Sequence, residues 1–462
     1  MAGKSSIRFG AGMALFLSAV SAFGAELPAD TVAKIDAAAQ TVIAINQTPS
    51  AQIAVVKDGE IVYSKAFGVA SIDGNVKATT KSRYQIASVS KAFTAAAVLA
   101  LVEDGKLSLD DTVSKWLPDL TSADQITVRQ LISHTSGYSD YWPQDYVMET
   151  VTKPTTAQKI ANTYAKAPLD YKPGDEWQYS NTGYVVAGLI VEKVSGKPLF
   201  DFMQDRILKP IGIHDALDAG AVDLKAPDAL GYQRQGLGPN RLTPLAGRNW
   251  TFAAWPLILT AEDVARWDIS ILKKSLFTPA TYDEQVKTIK LNNGNDTGYA
   301  MGWFVRKTGG RTIVSHTGEG AGYLTSNRIY PDDGIAIVVL TNTMSGNAFS
   351  EISDRIAFQV LPQHSVDAQV LATFKALQAG QADRAHFTGN FNAYLTDKAL
   401  ADHKQYLGAL GDIVTFQMQG SSKRGGMDIR SYRLRAGEKL LSLSVFVTKD
   451  GKFDQFLVSA VN

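Results

Sequence analysis

The sequence predicts an α+β fold: an antiparallel sheet flanked by helices, a mainly helical subdomain, and a small α+β domain at the C-terminus. Three patterns predict it. Strand-like runs occur early, at 52–56 and 61–67, and return only at 302–341, with mainly helical patterns over 112–208 between them. The run Ala92-Phe93-Thr94-Ala95-Ala96-Ala97-Val98-Leu99-Ala100-Leu101 is apolar nearly all round, as a helix buried on every side must be. A second set of alternating runs begins after 410. Early and late strands around a helical middle give one sheet covered by helices, and the late set gives a separate sheet.

The elements follow in order. Residues 1–24 read as a secretory signal: Lys4 and Arg8 supply the positive start, 10–20 the short apolar core, and Ala22-Phe23-Gly24 a cleavage triplet. The apolar stretch is shorter than the roughly 20 residues a membrane span needs, so the mature chain is expected to have no transmembrane span and to be periplasmic or secreted. Residues 31–44 suggest a helix. The runs 52–56 and 61–67 flank Lys57-Asp58-Gly59-Glu60, a hairpin connection. The buried helix follows. Residues 217–250 are rich in Gly, Pro and Leu without clear periodicity, as long walls or lids of sites often are. A helix starts at Ala261, and strands are expected at 302–305, 312–316, 323–330 and 335–341, with Asp332-Asp333-Gly334 as a hairpin turn. The composition changes near Pro362. Residues 25–362 therefore read as one domain and 363–462 as a small α+β domain of the helix-on-sheet kind, with no catalytic constellation.

Composition narrows the function. The chain has 462 residues with a net charge of +1, which gives no reason to invoke nucleic acid. It has no cysteine, so thiol catalysis and thiolate metal sites are excluded. His214, His364, His386 and His403 are scattered and lack metal-ligand spacing.

Ser88-Val89-Ser90-Lys91 is the stretch that carries chemistry. It sets a hydroxyl and an amine at i and i+3, facing one space at the head of the apolar helix. An amine there loses water, which lowers its pKa, and a neutral amine can take a proton from the hydroxyl. Ser270-Ile271-Leu272-Lys273 has the same pattern but sits inside an amphipathic run. Two further motifs accompany the first. Tyr179-Ser180-Asn181 follows Pro173-Gly174 at the start of a helical run, and His316-Thr317-Gly318 ends the strand-like run 312–315. Lys307-Thr308-Gly309 is a competing triplet, placed between two strand-like runs as a hairpin turn would be.

The order Ser-x-x-Lys, Tyr-x-Asn, then a basic residue with Thr-Gly resembles the penicillin-recognising serine hydrolases: class C β-lactamases, DD-peptidases and related esterases. Leu131-Ile132-Ser133-His134-Thr135-Ser136-Gly137 and Gly298-Tyr299-Ala300-Met301-Gly302-Trp303 are similar to signatures of that family, so the resemblance spans roughly residues 30 to 360. It implies Ser88 as nucleophile, Lys91 as proton acceptor, and Tyr179 as partner base and acid for the leaving group, its phenol lowered by Lys91 and His316. It implies His316 at the substrate's carboxylate end or tuning Tyr179, and Asn181 on the substrate's amide carbonyl. Thr317, Gly318 and Glu319 complete the substrate-binding set, Gly318 allowing close approach of the substrate backbone and the Glu319 N–H serving as second oxyanion donor. His134 is expected to be a satisfied structural hydrogen-bonder. Where relatives often have small residues, Ala253-Ala254-Trp255-Pro256 places a tryptophan that narrows the cleft.

The function so implied is an exported serine hydrolase working through a Ser88 acyl-enzyme on small-molecule or peptide amides or esters, with no cofactor and no metal. Histidine in the third motif goes with peptidases and esterases among relatives. A D-amino-acid peptidase or carboxypeptidase, or a carboxylesterase, therefore ranks ahead of a β-lactamase. The contrasting expectation is a non-catalytic sensor that binds cell-wall peptides or β-lactams.

Overall fold

The computed structural model describes residues 26–363 and 365–461, so the expected signal segment lies outside the described residues. Helix α1 (Ala29–Asn46) leads into strands β1 (Ser50–Lys57) and β2 (Glu60–Ser71). Asp58 and Gly59 both have positive φ (52° and 78°), the pairing that a two-residue type I′ hairpin demands. Strand β3 (Val76–Lys77) extends this edge. Much later come β4 (Phe304–Thr308), β5 (Arg311–Gly320), β6 (Tyr323–Tyr330) and β7 (Ile335–Thr341). They close one seven-stranded sheet in the order β3-β2-β1-β7-β6-β5-β4, antiparallel throughout.

The central strands β1, β6 and β7 are buried at nearly every position because both faces are covered. Ile53 and Val55 of β1, with Ile337 and Val339 of β7, face α1 and helix α5 (Ala348–Val360). Ala54, Val56, Val338 and Leu340 alternate to the other face. That face packs against α4 (Ala261–Lys273), whose Trp267 meets Phe93 of α2 (Lys91–Glu103) at 4.6 Å between ring centres. Helix α2 runs between the sheet and the helical subdomain and is buried from Lys91 to Leu101, so one apolar cylinder joins the two halves. On the subdomain side it meets α3 (Asn181–Ser195), the helix that opens with the second motif.

Strand β5 runs four residues beyond the expected strand end at 316. Gly318 and Gly320 hide this from the sequence pattern because they carry no side chain to alternate. Both are forced by packing: a Cβ on Gly318 would collide with the Ile86 carbonyl and the Thr325 hydroxyl, and one on Gly320 would press on Ala87. The strand is thereby laid against the turn that carries Ser88. The segment 217–250 holds only two-residue strands and turns, at Leu217–Asp218, Tyr232–Gln233 and Arg241–Leu242.

The C-terminal domain is a four-stranded antiparallel meander, β8 (Ile413–Arg424), β9 (Met427–Ala436), β10 (Lys439–Val447) and β11 (Phe453–Ala460). Helices α6 (Ser365–Gln378) and α7 (Asp397–Gly408) accompany it. Val370, Phe374, Leu434, Leu443, Val445 and Phe453 belong to a core of its own. Glu351 of α5 ties the two bodies together: it pairs with Arg355 at 2.6 Å and lies 3.9 Å from Arg435 of β9. No helix of the described residues is long and apolar enough to cross a membrane.

Candidate active site

Ser88 lies in a tight 3₁₀ turn, Ala87–Ser90, that runs straight into α2. In such a turn residues i and i+3 eclipse, so Ser88 stands directly above Lys91. The preceding Ala87 has φ 48°, a left-handed conformation uncommon for alanine, which bends the chain sharply where the hydroxyl is presented. The Ser88 side chain caps no backbone N–H; it serves Lys91 instead.

Lys91 is fully buried, and its Nζ has three partners. Ser88 Oγ is at 3.0 Å, Asn181 Oδ1 at 2.8 Å and the Ala254 carbonyl at 2.9 Å. Burial pulls the amine down to about 7, opposed by the Asp140 carboxylate. The last two partners only accept. A neutral amine donates its two hydrogens to them, and its lone pair is then left for Ser88 Oγ.

Asp140 is a residue that sequence reasoning missed. It stands three positions past the His134–Gly137 signature, on the loop beneath the cleft, and nothing in its neighbours marks it as more than a turn aspartate. Its Oδ1 accepts the Trp142 N–H at 3.1 Å and the Asn181 N–H at 3.2 Å, and its Oδ2 accepts Asn181 Nδ2 at 3.1 Å. That last bond fixes which way the Asn181 amide points, so that Oδ1 faces Lys91. It also commits one of the two amide hydrogens expected for the substrate, leaving one free. Burial raises the Asp140 carboxyl. Asp140→Asn is expected to lower kcat/KM by up to about 10²-fold through misplacement of Asn181. It should also move the acid limb of the pH profile to lower pH, because removing the anion lowers the Lys91 pKa further. A pH series on the variant checks both.

Tyr179 lies beside the pair, with Lys91 Nζ 4.9 Å from its ring centre. Here the expectation of a lowered phenol is corrected. Burial pushes Tyr179 well above the ordinary phenol range, and a hydrogen bond with Ser88 only partly offsets this. His316, expected neutral or protonated, supplies no cation to lower the phenol, since burial, with Lys91 nearby, takes that imidazole down to about 3. His316 Nδ1 is 2.6 Å from the Thr317 carbonyl, which only accepts, so Nδ1 carries the hydrogen. Nε2 then accepts from the Tyr299 hydroxyl at 3.1 Å. His316 is neutral with both nitrogens held, and it can neither bind a carboxylate as a cation nor titrate near neutral pH.

His134 departs from expectation in part. Its Nδ1 accepts the Ser180 N–H at 3.0 Å, while its buried Nε2 has no partner. Its ring stacks 4.2 Å from Tyr179 and 4.7 Å from Tyr299, holding the phenol in place from behind.

These residues open onto a cleft of about 430 Å³. Ser88, Tyr179, Asn181, His316, Thr317 and Glu319 line it, whereas Gly318 does not, its Cβ direction being filled by Ile86 and Thr325. Trp142, Trp255 and Phe304 give the cleft an aromatic wall. Its charged lining is Asp140, Asp145 and Glu319, with no lysine or arginine. Partial burial and Asp145 raise the Glu319 carboxyl. Among the described residues no group of His, Asp and Glu is placed to hold a metal.

The two competing motifs lie elsewhere. Ser270 Oγ donates to the Trp267 carbonyl of its own helix at 2.7 Å, and Lys273 Nζ reaches out to Glu60 at 3.4 Å. Lys307 is exposed on β4, and Gly309 and Gly310, both at positive φ, make the β4–β5 turn. His316→Ala is expected to cost roughly 10²-fold in kcat/KM, since it removes the acceptor of the Tyr299 hydroxyl and loosens the cleft wall that positions charge-stabilising donors. Lys307→Ala should change it by less than about threefold, as exposed charges contribute little. Steady-state kinetics on the two variants checks the ranking.

The fold and this constellation are those of a β-lactamase/transpeptidase-like serine hydrolase. Residues 35–361 match the Beta-lactamase family, and the chain belongs to that family. It is 28% identical over 360 residues to Protein flp of Staphylococcus aureus (strain MW2), covering 75% of this chain and 70% of that protein. It is 27% identical over 326 residues to Penicillin-binding protein 4* of Bacillus subtilis (strain 168), covering 67% and 71%. Among such relatives the match spans 64 to 71% of their own length. The D-amino acid amidase from Ochrobactrum anthropi SV3, complexed with L-phenylalanine amide, superposes with a TM-score of 0.61 at 25% identity, covering 72% of this chain and 96% of that one. An octameric penicillin-binding protein homologue from Pyrococcus abyssi superposes over 92% of this chain and 99% of that one at 20% identity, with a TM-score of 0.62.

Proposed function

We propose that this protein is an exported serine hydrolase that cleaves amides or esters through an acyl-enzyme on Ser88. The observation that carries the proposal is the Lys91 amine, whose two fixed acceptors leave its lone pair toward Ser88 Oγ. Lys91 takes the Ser88 proton as Oγ bonds to the substrate carbonyl carbon. The resulting oxyanion is held by the backbone N–H groups of Ser88 and Glu319. On collapse the C–N or C–O bond breaks, and the neutral Tyr179 phenol passes a proton to the leaving group while Lys91 resupplies it. Water then repeats the sequence on the ester, releasing the acid and Ser88. Thr317 and the free Asn181 amide hydrogen orient the acyl group.

The cleft favours one branch of the expected substrates. A carboxypeptidase or a β-lactamase takes a donor with a free carboxylate, and this cleft offers a neutral His316 and an acidic lining. We therefore place D-amino-acid amides or peptides with a free amine, and carboxylesters, ahead of D-Ala-D-Ala carboxypeptidase substrates and β-lactams. The superposable amidase was solved with an amino-acid amide, which agrees. The test is a rate panel of D-phenylalanine amide, p-nitrophenyl esters, a D-Ala-D-Ala peptide and nitrocefin. The first two are expected to lead by roughly tenfold or more, the order of one well-placed charge or hydrogen bond; a lead for the last two would reverse the assignment. A stable adduct without turnover on any of them would favour a sensor.

A further inference from the structure

A second chamber, of about 150 Å³, adjoins the cleft. The two spaces share Trp142, Trp255 and Ala321, and the tryptophans meet edge to face at 5.1 Å between them. The outer wall comes from the irregular segment 217–250, with Val222, Leu224, Leu242 and Leu245. Within this largely apolar lining, beside Gln85 and an Asp223 carboxylate that pairs with Arg248 at 2.9 Å, are two hydroxyls, those of Thr243 and Thr251, on residues only 7% and 3% exposed. Neither hydroxyl has a hydrogen-bond partner among the described residues. Buried hydroxyls are ordinarily paired, and an apolar pocket with a few unpaired polar groups is the usual form of a small-molecule site. An apolar cavity of roughly 150 Å³ holds a benzene-sized ring.

We propose that this chamber is the acyl-side subsite of the Ser88 cleft and takes a ring-sized apolar group bearing one hydrogen-bonding atom, such as a hydroxyphenyl group. It rests on the Ser88 hydrolase function proposed above. The acyl side is assigned because the leaving group departs past Tyr179, and the chamber shares neither Tyr179 nor the adjoining Gln178. The segment 217–250 thereby gains a purpose: it selects the substrate.

Two variants and three esters test this. Leu224→Trp fills the chamber, and Thr243→Val removes one hydroxyl at nearly constant shape. Wild type is expected to hydrolyse p-nitrophenyl 4-hydroxyphenylacetate with a kcat/KM roughly tenfold or more above that of p-nitrophenyl acetate. Leu224→Trp should abolish this preference and leave the acetate rate within about threefold. Thr243→Val should lower the hydroxyphenylacetate rate and leave that of the unsubstituted phenylacetate unchanged. An unaltered preference in both variants overturns the proposal. Binding of p-cresol, followed by saturation-transfer NMR, needs no catalysis. It is expected with wild type and lost in a folded Leu224→Trp, and no binding to wild type also overturns the proposal. Absence of hydrolysis and of fluorophosphonate labelling, with p-cresol bound, would instead strike at the Ser88 chemistry alone.

Discussion

Ser88→Ala is expected to abolish hydrolysis, with a loss of at least about 10⁴-fold, the scale seen when a serine nucleophile is removed from a working constellation. The reason is local. Ser88 is the hydroxyl that the Ala87–Ser90 turn holds 3.0 Å from a buried amine. The fold should tolerate the change, because the hydroxyl caps no helix and supports no backbone group. Ser270→Ala is the control. Its hydroxyl bonds its own helix carbonyl and Tyr282, away from the cleft, so activity should stay near wild type. Kinetics on both variants, with circular dichroism to verify folding, gives the comparison.

Lys91 carries the second large effect. Lys91→Ala should cost roughly 10³-fold or more, within the range of a lost general base. Lys91→Arg should be nearly as poor, because a guanidinium keeps its charge at every working pH and has no lone pair to offer. That pairing separates a base from a mere positive charge. The pH profile gives the sign. Burial lowers the amine to about 7, so the neutral, proton-accepting form grows as pH rises through that value. Wild-type kcat/KM should therefore climb from pH 6 to 8, and the limb should vanish in Lys91→Arg. His316, held neutral far below this range, contributes no limb of its own.

Much of this was legible in the sequence, and the particular residues show why. Lys91 could be read as buried because the ten residues after it are apolar on every face. The hairpin at Asp58-Gly59 and the strands 323–330 and 335–341 followed from alternation and turn chemistry. His316 was separable from Lys307 because one lay inside a strand-like run and the other between two. What the sequence hid depends on contacts between distant segments. Asp140 matters through bonds to Asn181, forty-one positions away. The neutral state of His316 comes from burial and the nearby Lys91, and its tautomer is set by Tyr299 and the Thr317 carbonyl. The high phenol of Tyr179 reflects burial, with Tyr184 and Asp140 nearby and His134 packed on its ring, and no local pattern assigns these to it. The extension of β5 through two glycines was equally unreadable, since the packing that requires them comes from Ile86 and Ala87.

The central claim is a covalent bond at Ser88, and one measurement addresses it directly. The protein is treated with a fluorophosphonate, its intact mass is recorded, and the adduct is located by peptide mapping. One adduct per chain is expected, on Ser88, formed faster at pH 8 than at pH 6 in step with the Lys91 titration. An adduct mapped to Ser270 or to any other residue, or no adduct on a chain that turns over substrate, would contradict it.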